Sequence, residues 1–115
     1  MLSLWVSLGH LVLQADPTLS FNRDIRPILS AYCLECHGPD GQQRKGGGKQ
    51  GLRLDTLQGA TEDLGGVSAV IPGDADASLM IQRILTKDAD DRMPPIEHGK
   101  SLSLDQVESL KTWIN

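Results

Sequence analysis

Two cysteines and a histidine stand close together in this chain. Cys33 and Cys36 are the only cysteines among its 115 residues, and His37 follows directly, which gives the pattern C-x-x-C-H. Two cysteines three positions apart at a helix start lie on one face, where both sulfurs can bond to the two vinyl groups of one haem. The next residue then falls beneath the centre of the ring, where its imidazole can bind the iron. The motif therefore predicts one covalently bound c-type haem.

Three other arrangements of the cysteine pair stay open at this point. A redox dithiol is expected beside a βαβ pattern, which the sequence lacks. A Cys/His zinc-binding module would need a fourth ligand, for which His98 is the candidate. Two buried thiols or one local disulfide would be purely structural. Only a framework of several disulfides is excluded, because the chain has two cysteines.

A haem iron held by His37 has a second axial position, and Met93 is the natural candidate for it. Its neutral thioether favours the reduced iron and raises the reduction potential. Met93 is followed by Pro94 and Pro95, which stiffen the loop that would present the sulfur. Met80 is a rival, although its apolar neighbours favour a place in the core, and His98 or an open position are further alternatives.

Helices and loops account for the elements that must position these residues. Phe21, Ile25, Ile28 or Leu29, and Tyr32 recur at helical spacing, which predicts a helix that begins at a Ser20 or Asn22 cap and runs into Cys33. The segment 38–51 holds six of the twelve glycines and no large apolar residue before its end, so we expect an irregular surface loop.

Three further helical segments follow along the chain. A short turn or helix is expected within 52–60, and an amphipathic helix over 79–85 with Asp76 or Ser78 as its cap. The last helix should begin at Ser103, with Gln106 completing a capping box. Its stripe is expected to contain Leu104, Val107, Leu110 or Lys111, and Trp113 with Ile114. No strand pair with a hairpin signal is visible, so the sequence predicts an all-α domain with long loops.

The composition limits the core and the partners. Only four residues are aromatic, so a chain of this length lacks large side chains for its interior, and a bound cofactor would fill that space. A net charge of −4 and a pI near 5.2 argue against nucleic acid as a partner.

Residues 1–15, MLSLWVSLGHLVLQA, contain no charged side chain. They are too short to span a bilayer as a helix, which takes about 20 residues, but they match the apolar part and small-residue exit of a secretory signal, without its basic start. We predict a signal peptide over 1–15, either complete or shortened at its start, and one domain over 16–115 exported to the periplasm or an equivalent compartment. The alternative is an apolar core helix interrupted by Gly9 and His10.

Five stretches of the sequence together resemble the planctomycete-type cytochrome c domain over about residues 20 to 115. They are FNRDIRPILSAYCLECHGPD, LRLDT, VIPGDADASLMIQRI, DRMPP and LSLDQVESLKTWIN. The resemblance implies a small class I cytochrome c-like helical domain wrapped around one covalent haem. It also implies Cys33 and Cys36 as attachment residues, His37 as the proximal ligand and Met93, in its MPP loop, as the distal ligand.

We therefore expect one-electron transfer by a six-coordinate haem c, with no catalytic residue and no enzyme activity of the domain itself. The partner would be a redox protein or an enzyme domain. Alternatively, the chain is a relay module from a larger multidomain oxidoreductase or hydrolase-like protein. Arg53 is a candidate contact for a haem propionate.

Charge is distributed unevenly along the sequence. Between Asp40 and Arg53 four cations face one acid, a balance of +3, whereas 55–91 holds eight acids and two cations, a balance of −6. The basic loop, with Arg44, Lys45 and Lys49, could dock an acidic partner or could simply keep a glycine-rich segment soluble.

Overall fold

The computed structural model describes residues 18–47 and 51–115, where helices, turns and loops form the whole backbone without a β-strand. A π-helical turn at Phe21–Ile25 leads into α1 (Arg26–Tyr32), followed by α2 (Leu34–His37) and α3 (Leu57–Ala60). After them come α4 (Leu79–Leu85), a 3-10 turn at Ile96–His98 and α5 (Leu104–Ile114). The all-α prediction is confirmed for these residues. The predicted signal peptide and Lys49 lie outside them.

The first helical segment begins at the predicted cap. The Ser20 hydroxyl accepts a hydrogen bond from the amide of Arg23 at 3.4 Å, and the Ser20 amide donates to the Asp24 carboxylate at 2.8 Å. Pro27 lies at the second position of α1, where a missing amide hydrogen costs nothing. The segment therefore starts with a π-helical turn and becomes a regular α-helix just before the cysteines.

Helix α5 forms with the predicted capping box. The Ser103 hydroxyl accepts from the Gln106 amide at 3.1 Å, and the Gln106 side chain accepts from the Ser103 amide at 2.8 Å. Val107, Leu110 and Ile114 are buried where α5 packs against α4 and the π-helical turn. The prediction that Leu104 belongs to this buried stripe is wrong, because its side chain is 79% exposed.

Helix α4 forms where predicted, but neither expected side-chain cap is used. Ser78 stands at the capping position, and its hydroxyl is engaged elsewhere. It accepts from the Ile71 amide and donates to the Asp74 carbonyl, each at 2.8 Å. The fully buried Ser78 thus holds the turn before the helix instead of capping it.

The core lies between the first helical segment, α4 and α5, with contributions from the connecting loops. Its buried residues are mostly aliphatic and include no aromatic side chain: Ile25, Ile28, Leu29, Leu54, Ala60, Ala69, Val70, Ala75, Met80, Ile81, Val107, Leu110 and Ile114. None of the helices in the described ranges is long and apolar enough to cross a membrane.

Candidate functional site

An apolar cavity of about 270 Å³ lies beside the core. Its wall includes Cys33, Cys36 and His37 from the end of α1 and from α2. Met80 from α4 and Met93 from the loop after α4 also line it. The structure therefore brings both cysteines of the motif, its histidine and both candidate methionines to one cavity. Leu52, Leu54, Leu79, Ile84 and Leu102 supply apolar surface around them.

The break between α1 and α2 places the motif on the cavity wall. The Cys33 amide still bonds to the Leu29 carbonyl at 2.8 Å, but the Cys33 backbone leaves helical geometry at φ −126°. One helical turn follows, in which the His37 amide bonds to the Cys33 carbonyl at 2.9 Å. Side chains three and four positions apart share one face of that turn, so Cys33, Cys36 and His37 project to the same side.

The loop after α2 orients the His37 imidazole. Its Nδ1 lies 3.1 Å from the carbonyl oxygen of Lys45. A carbonyl can only accept, so Nδ1 carries the proton and Nε2 keeps the lone pair that a metal ion would bind. Burial lowers the pKa of His37, whereas its hydrogen bonds with the backbone of Lys45 and Leu52 raise it by less. The neutral imidazole favoured by burial is the form that ligates iron.

Backbone hydrogen bonds fasten this loop to α2. The Lys45 amide bonds to the Cys36 carbonyl at 2.8 Å, the Leu52 amide to the Lys45 carbonyl at 3.0 Å, and the Leu54 amide to the His37 carbonyl at 2.7 Å. Through these bonds the described part of the glycine-rich loop, 38–47 and 51, which is irregular as predicted, supports His37.

Gly46 is a positioning residue that the sequence did not single out among six loop glycines. It adopts φ +96°, a region that favours glycine. A Cβ at this position would lie 3.2 Å from Cε1 of His37 and 3.2 Å from Cβ of Leu52. The backbone can therefore approach the imidazole only because residue 46 has no side chain.

The two thiols are free and half-buried. Burial raises the pKa of the Cys33 thiol to about 11, whereas redox-active cysteines usually have a lowered thiol pKa. No group of three or more His, Cys, Asp or Glu side chains within 18–47 and 51–115 is arranged to hold a metal ion. The raised thiol pKa does not favour the dithiol alternative. His98, the fourth ligand of the zinc alternative and a rival axial ligand, lines the same cavity but is not grouped with the motif in a metal-binding arrangement.

The Met93 segment of the cavity wall is tied to α4. The Met93 amide bonds to the Arg83 carbonyl at 3.0 Å, and a cis peptide bond joins Met93 to Pro94. Met93 is half-buried, whereas Met80 is 8% exposed and belongs to the core, as predicted. Because both line the cavity, the choice of Met93 as axial ligand stays a prediction.

Arg53 does not line this cavity. Its guanidinium forms two hydrogen bonds with the Asp55 carboxylate, at 2.6 and 2.8 Å, so its proposed propionate contact is without support from the geometry. The cationic side chains on the cavity wall are instead Lys45, Arg83 and Lys100. The sequence did not identify them because they come from three separated segments.

The chain was compared with protein families, with curated proteins and with solved structures. Residues 33–97, more than half of the chain, match the family described as Planctomycete cytochrome C. The chain is also similar to the hydrazine synthase subunit alpha of Kuenenia stuttgartiensis, at 29% identity over 128 aligned positions. The alignment covers 91% of this chain and only 16% of that relative. No solved structure matches the chain. The family match extends from Cys33 past Met93, and on that basis the chain belongs to the planctomycete cytochrome c family.

Proposed function

We propose that this protein transfers single electrons through one haem c, held by Cys33 and Cys36 and ligated by His37 and Met93. Family membership implies haem c binding. The observation that carries the finer proposal is the common cavity with the C-x-x-C-H motif on one wall and Met93 on another. When bound, the haem supplies a one-electron couple whose potential a thioether ligand raises.

The residues of the cavity suit this group. The wall is largely apolar, and its volume of about 270 Å³ is near the lower end of small-ligand pockets, which span roughly 300 to 1,000 Å³. Cys33 and Cys36 are unpaired and available for thioether bonds. The hydrogen bond from His37 to the Lys45 carbonyl directs Nε2 away from the loop and raises the basicity of the imidazole.

The axial pair also bears on enzyme activity. If His37 and Met93 both held the iron, no coordination position would be left for a substrate, and the domain itself would act as an electron carrier and not as an enzyme. Arg83 and Lys45, whose side chains line the cavity, replace Arg53 as the candidate partners of the haem carboxylates. The helical chain would wrap around the haem as in small class I cytochromes c.

A relay role inside a larger enzyme is the second candidate. It is favoured by one observation, that this chain aligns with 16% of a relative named as an enzyme subunit. In this case the domain would pass electrons to or from another domain of the same protein. Export to the periplasm or an equivalent compartment stays part of the proposal and is supported by the pattern of residues 1–15.

Mass spectrometry of the denatured protein tests haem attachment. Protein made in cells with haem-attachment machinery should carry the mass of one haem, and its visible spectrum should show six-coordinate iron. The single variants Cys33→Ala and Cys36→Ala, which serve as controls for one another, should each retain one thioether bond. The double variant should lose covalent haem.

Two results would contradict the proposal. The polypeptide mass alone, from cells that attach haem to other proteins, would remove the cofactor. Stoichiometric zinc in the purified protein would favour the Cys/His zinc module instead.

A further inference from the structure

A second cavity, of about 240 Å³, lies behind the Met93 loop. It is bounded by the end of α4, by Met93 and Pro94, and by the start of α5. Five residues line both cavities: Ile84, Met93, Pro94, Lys100 and Leu102. The two cavities therefore adjoin, and the proposed iron ligand Met93 belongs to the wall that they share.

The charge of this second cavity differs from that of the chain. Lys87, Arg92 and Lys100 line it, and no acidic residue does, although the protein has a net charge of −4. Among the ion pairs of the described segments, none involves these three cations. Lys100 donates to the carbonyl oxygen of Ala31 at 3.2 Å, a neutral acceptor that leaves its positive charge uncompensated.

The acidic residues of the adjacent loop, Asp88, Asp90 and Asp91, do not line this cavity. Asp91 lies 3.5 Å from the guanidinium of Arg83. The Asp88 carboxylate accepts the amide of Asp90 at 3.0 Å and so holds the loop turn. The three cations are therefore the charged groups that line the second cavity, and the loop carboxylates lie outside its lining.

Two exposed leucines stand beside these cations. Leu85, at the end of α4, is 49% exposed, and Leu104, at the start of α5, is 79% exposed. Both line the second cavity. Large apolar side chains surrounded by charged groups are typical of surfaces that contact another protein. This combination also gives a reason why Leu104 is absent from the core stripe of α5.

The basic loop at 40–53 is less suited to docking. Arg44 uses its guanidinium within the loop, where it donates to the carbonyls of Gly38 at 3.0 Å and Pro39 at 3.1 Å. Its side chain also packs under Gly51. The cation in the centre of the loop therefore stabilises the loop itself.

We propose that the α4–α5 face, formed by Leu85, Lys87, Arg92, Lys100 and Leu104, docks an acidic one-electron redox protein. Carboxylates of that partner would meet the three cations, and an apolar side chain would contact the two leucines. A partner acting as donor loses one electron to the ferric iron, with no bond made or broken. The inference rests on the proposed haem function, because Met93 connects this face to the haem cavity. Charge complementarity of this kind mainly sets the encounter rate and its salt dependence.

Flavodoxin, a small acidic redox protein, is the probe for the test. The variant Lys87→Gln/Arg92→Gln removes two charges from the face without changing a residue that lines the haem cavity.

Arg26→Gln/Lys111→Gln removes two charges elsewhere and controls for net charge. Lys45→Gln/Lys49→Gln represents the basic loop and preserves Arg44. Each protein is first shown by mass and spectrum to carry haem, and its dissociation constant and electron-transfer rate with flavodoxin are measured against ionic strength.

The face variant should bind flavodoxin roughly tenfold more weakly at low salt, with a flatter salt dependence, whereas the control should match the parent protein. Carbodiimide coupling of the parent complex should join Lys87 or Lys100 to flavodoxin carboxylates. Three outcomes would overturn the docking proposal. The face variant and the control could lose the same affinity for flavodoxin, or the loop variant could lose more affinity than the face variant. Lys87 and Lys100 could also couple only to a second copy of this chain. A parent protein without haem would instead overturn the proposed function, so the two failures are distinct.

Discussion

At the scale of single residues, two methionines line one cavity and only one is proposed to bind iron. The Met93 backbone is tied to α4 through Arg83, and two prolines follow Met93, whereas Met80 belongs to the core. We expect Met93→Ala to keep the haem attached, to lower its reduction potential and to speed cyanide binding. Met80→Ala should keep the six-coordinate spectrum and cost about 2 to 5 kcal/mol of unfolding free energy, because it empties a buried site. If only the Met80 variant loses six-coordination, the ligand assignment is reversed.

Gly46 gives a second prediction at this scale. Gly46→Ala should destabilise the protein and disturb the His37 ligation, because its Cβ would lie 3.2 Å from Cε1 of His37 at a backbone φ of +96°. Gly65→Ala is the matched control, since Gly65 has φ +98° and open space around its Cβ position. Both should lose about 1 to 2 kcal/mol to backbone strain, but only Gly46→Ala should change the visible spectrum. Equal spectra for the two variants would remove Gly46 from the support of His37.

At the scale of elements, the start of the first helical segment is pH-sensitive. Hydrogen bonds from Arg23 and from the Ser20 amide lower the pKa of Asp24 to about 2, from an ordinary value of 3.8. A lowered pKa means that the ionised carboxylate stabilises the fold above pH 4, and that this stabilisation is lost as the pH falls through about 2. Asp24→Asn should therefore lower the melting temperature at pH 7, with a smaller difference at pH 3.

An NMR titration of the Asp24 carboxyl checks the cause. Arg23→Gln removes the largest contribution and leaves the Ser20 amide in place, so the pKa of Asp24 should rise part of the way toward 3.8. A pKa near 3.8 in the parent protein would show that this carboxylate does not stabilise the helix start.

At the scale of the whole molecule, the core and the haem cavity belong together. The buried residues are aliphatic and contain no aromatic ring, and the cavity of about 270 Å³ adjoins them. A haem bound there would cover this apolar wall, and burial of apolar surface stabilises a fold by about 25 cal/mol per Å². The haem therefore acts as part of the core in the proposed function.

Protein without haem should accordingly melt at a much lower temperature than haem-loaded protein. Circular dichroism of the Cys33→Ala/Cys36→Ala variant, purified from cells that attach haem, measures this loss without a change of host. Hydrogen exchange should show the largest loss of protection around α2 and the loop that supports His37. Equal melting temperatures would mean that the cavity contributes nothing to stability.

Local sequence patterns determined much of this protein. The C-x-x-C-H motif, the Ser20 and Ser103 caps and the helical spacing in α1 and α5 depend on residues within about four positions of one another, and such patterns can be recognised without a fold. The family resemblance, drawn from five stretches of sequence, is confirmed by the match over residues 33–97. The all-α class followed from the same periodicities.

The tertiary structure decided which partner each side chain takes, which does not follow from local spacing. It showed that the Lys45 carbonyl orients His37, that Arg53 pairs with Asp55 and that Ser78 holds a turn instead of capping α4. It also placed Leu104 at the surface, beside Lys87 and Arg92 from one loop and Lys100 from the next. Helical spacing predicts which residues share a face, but only the packing of the other elements determines whether that face is covered.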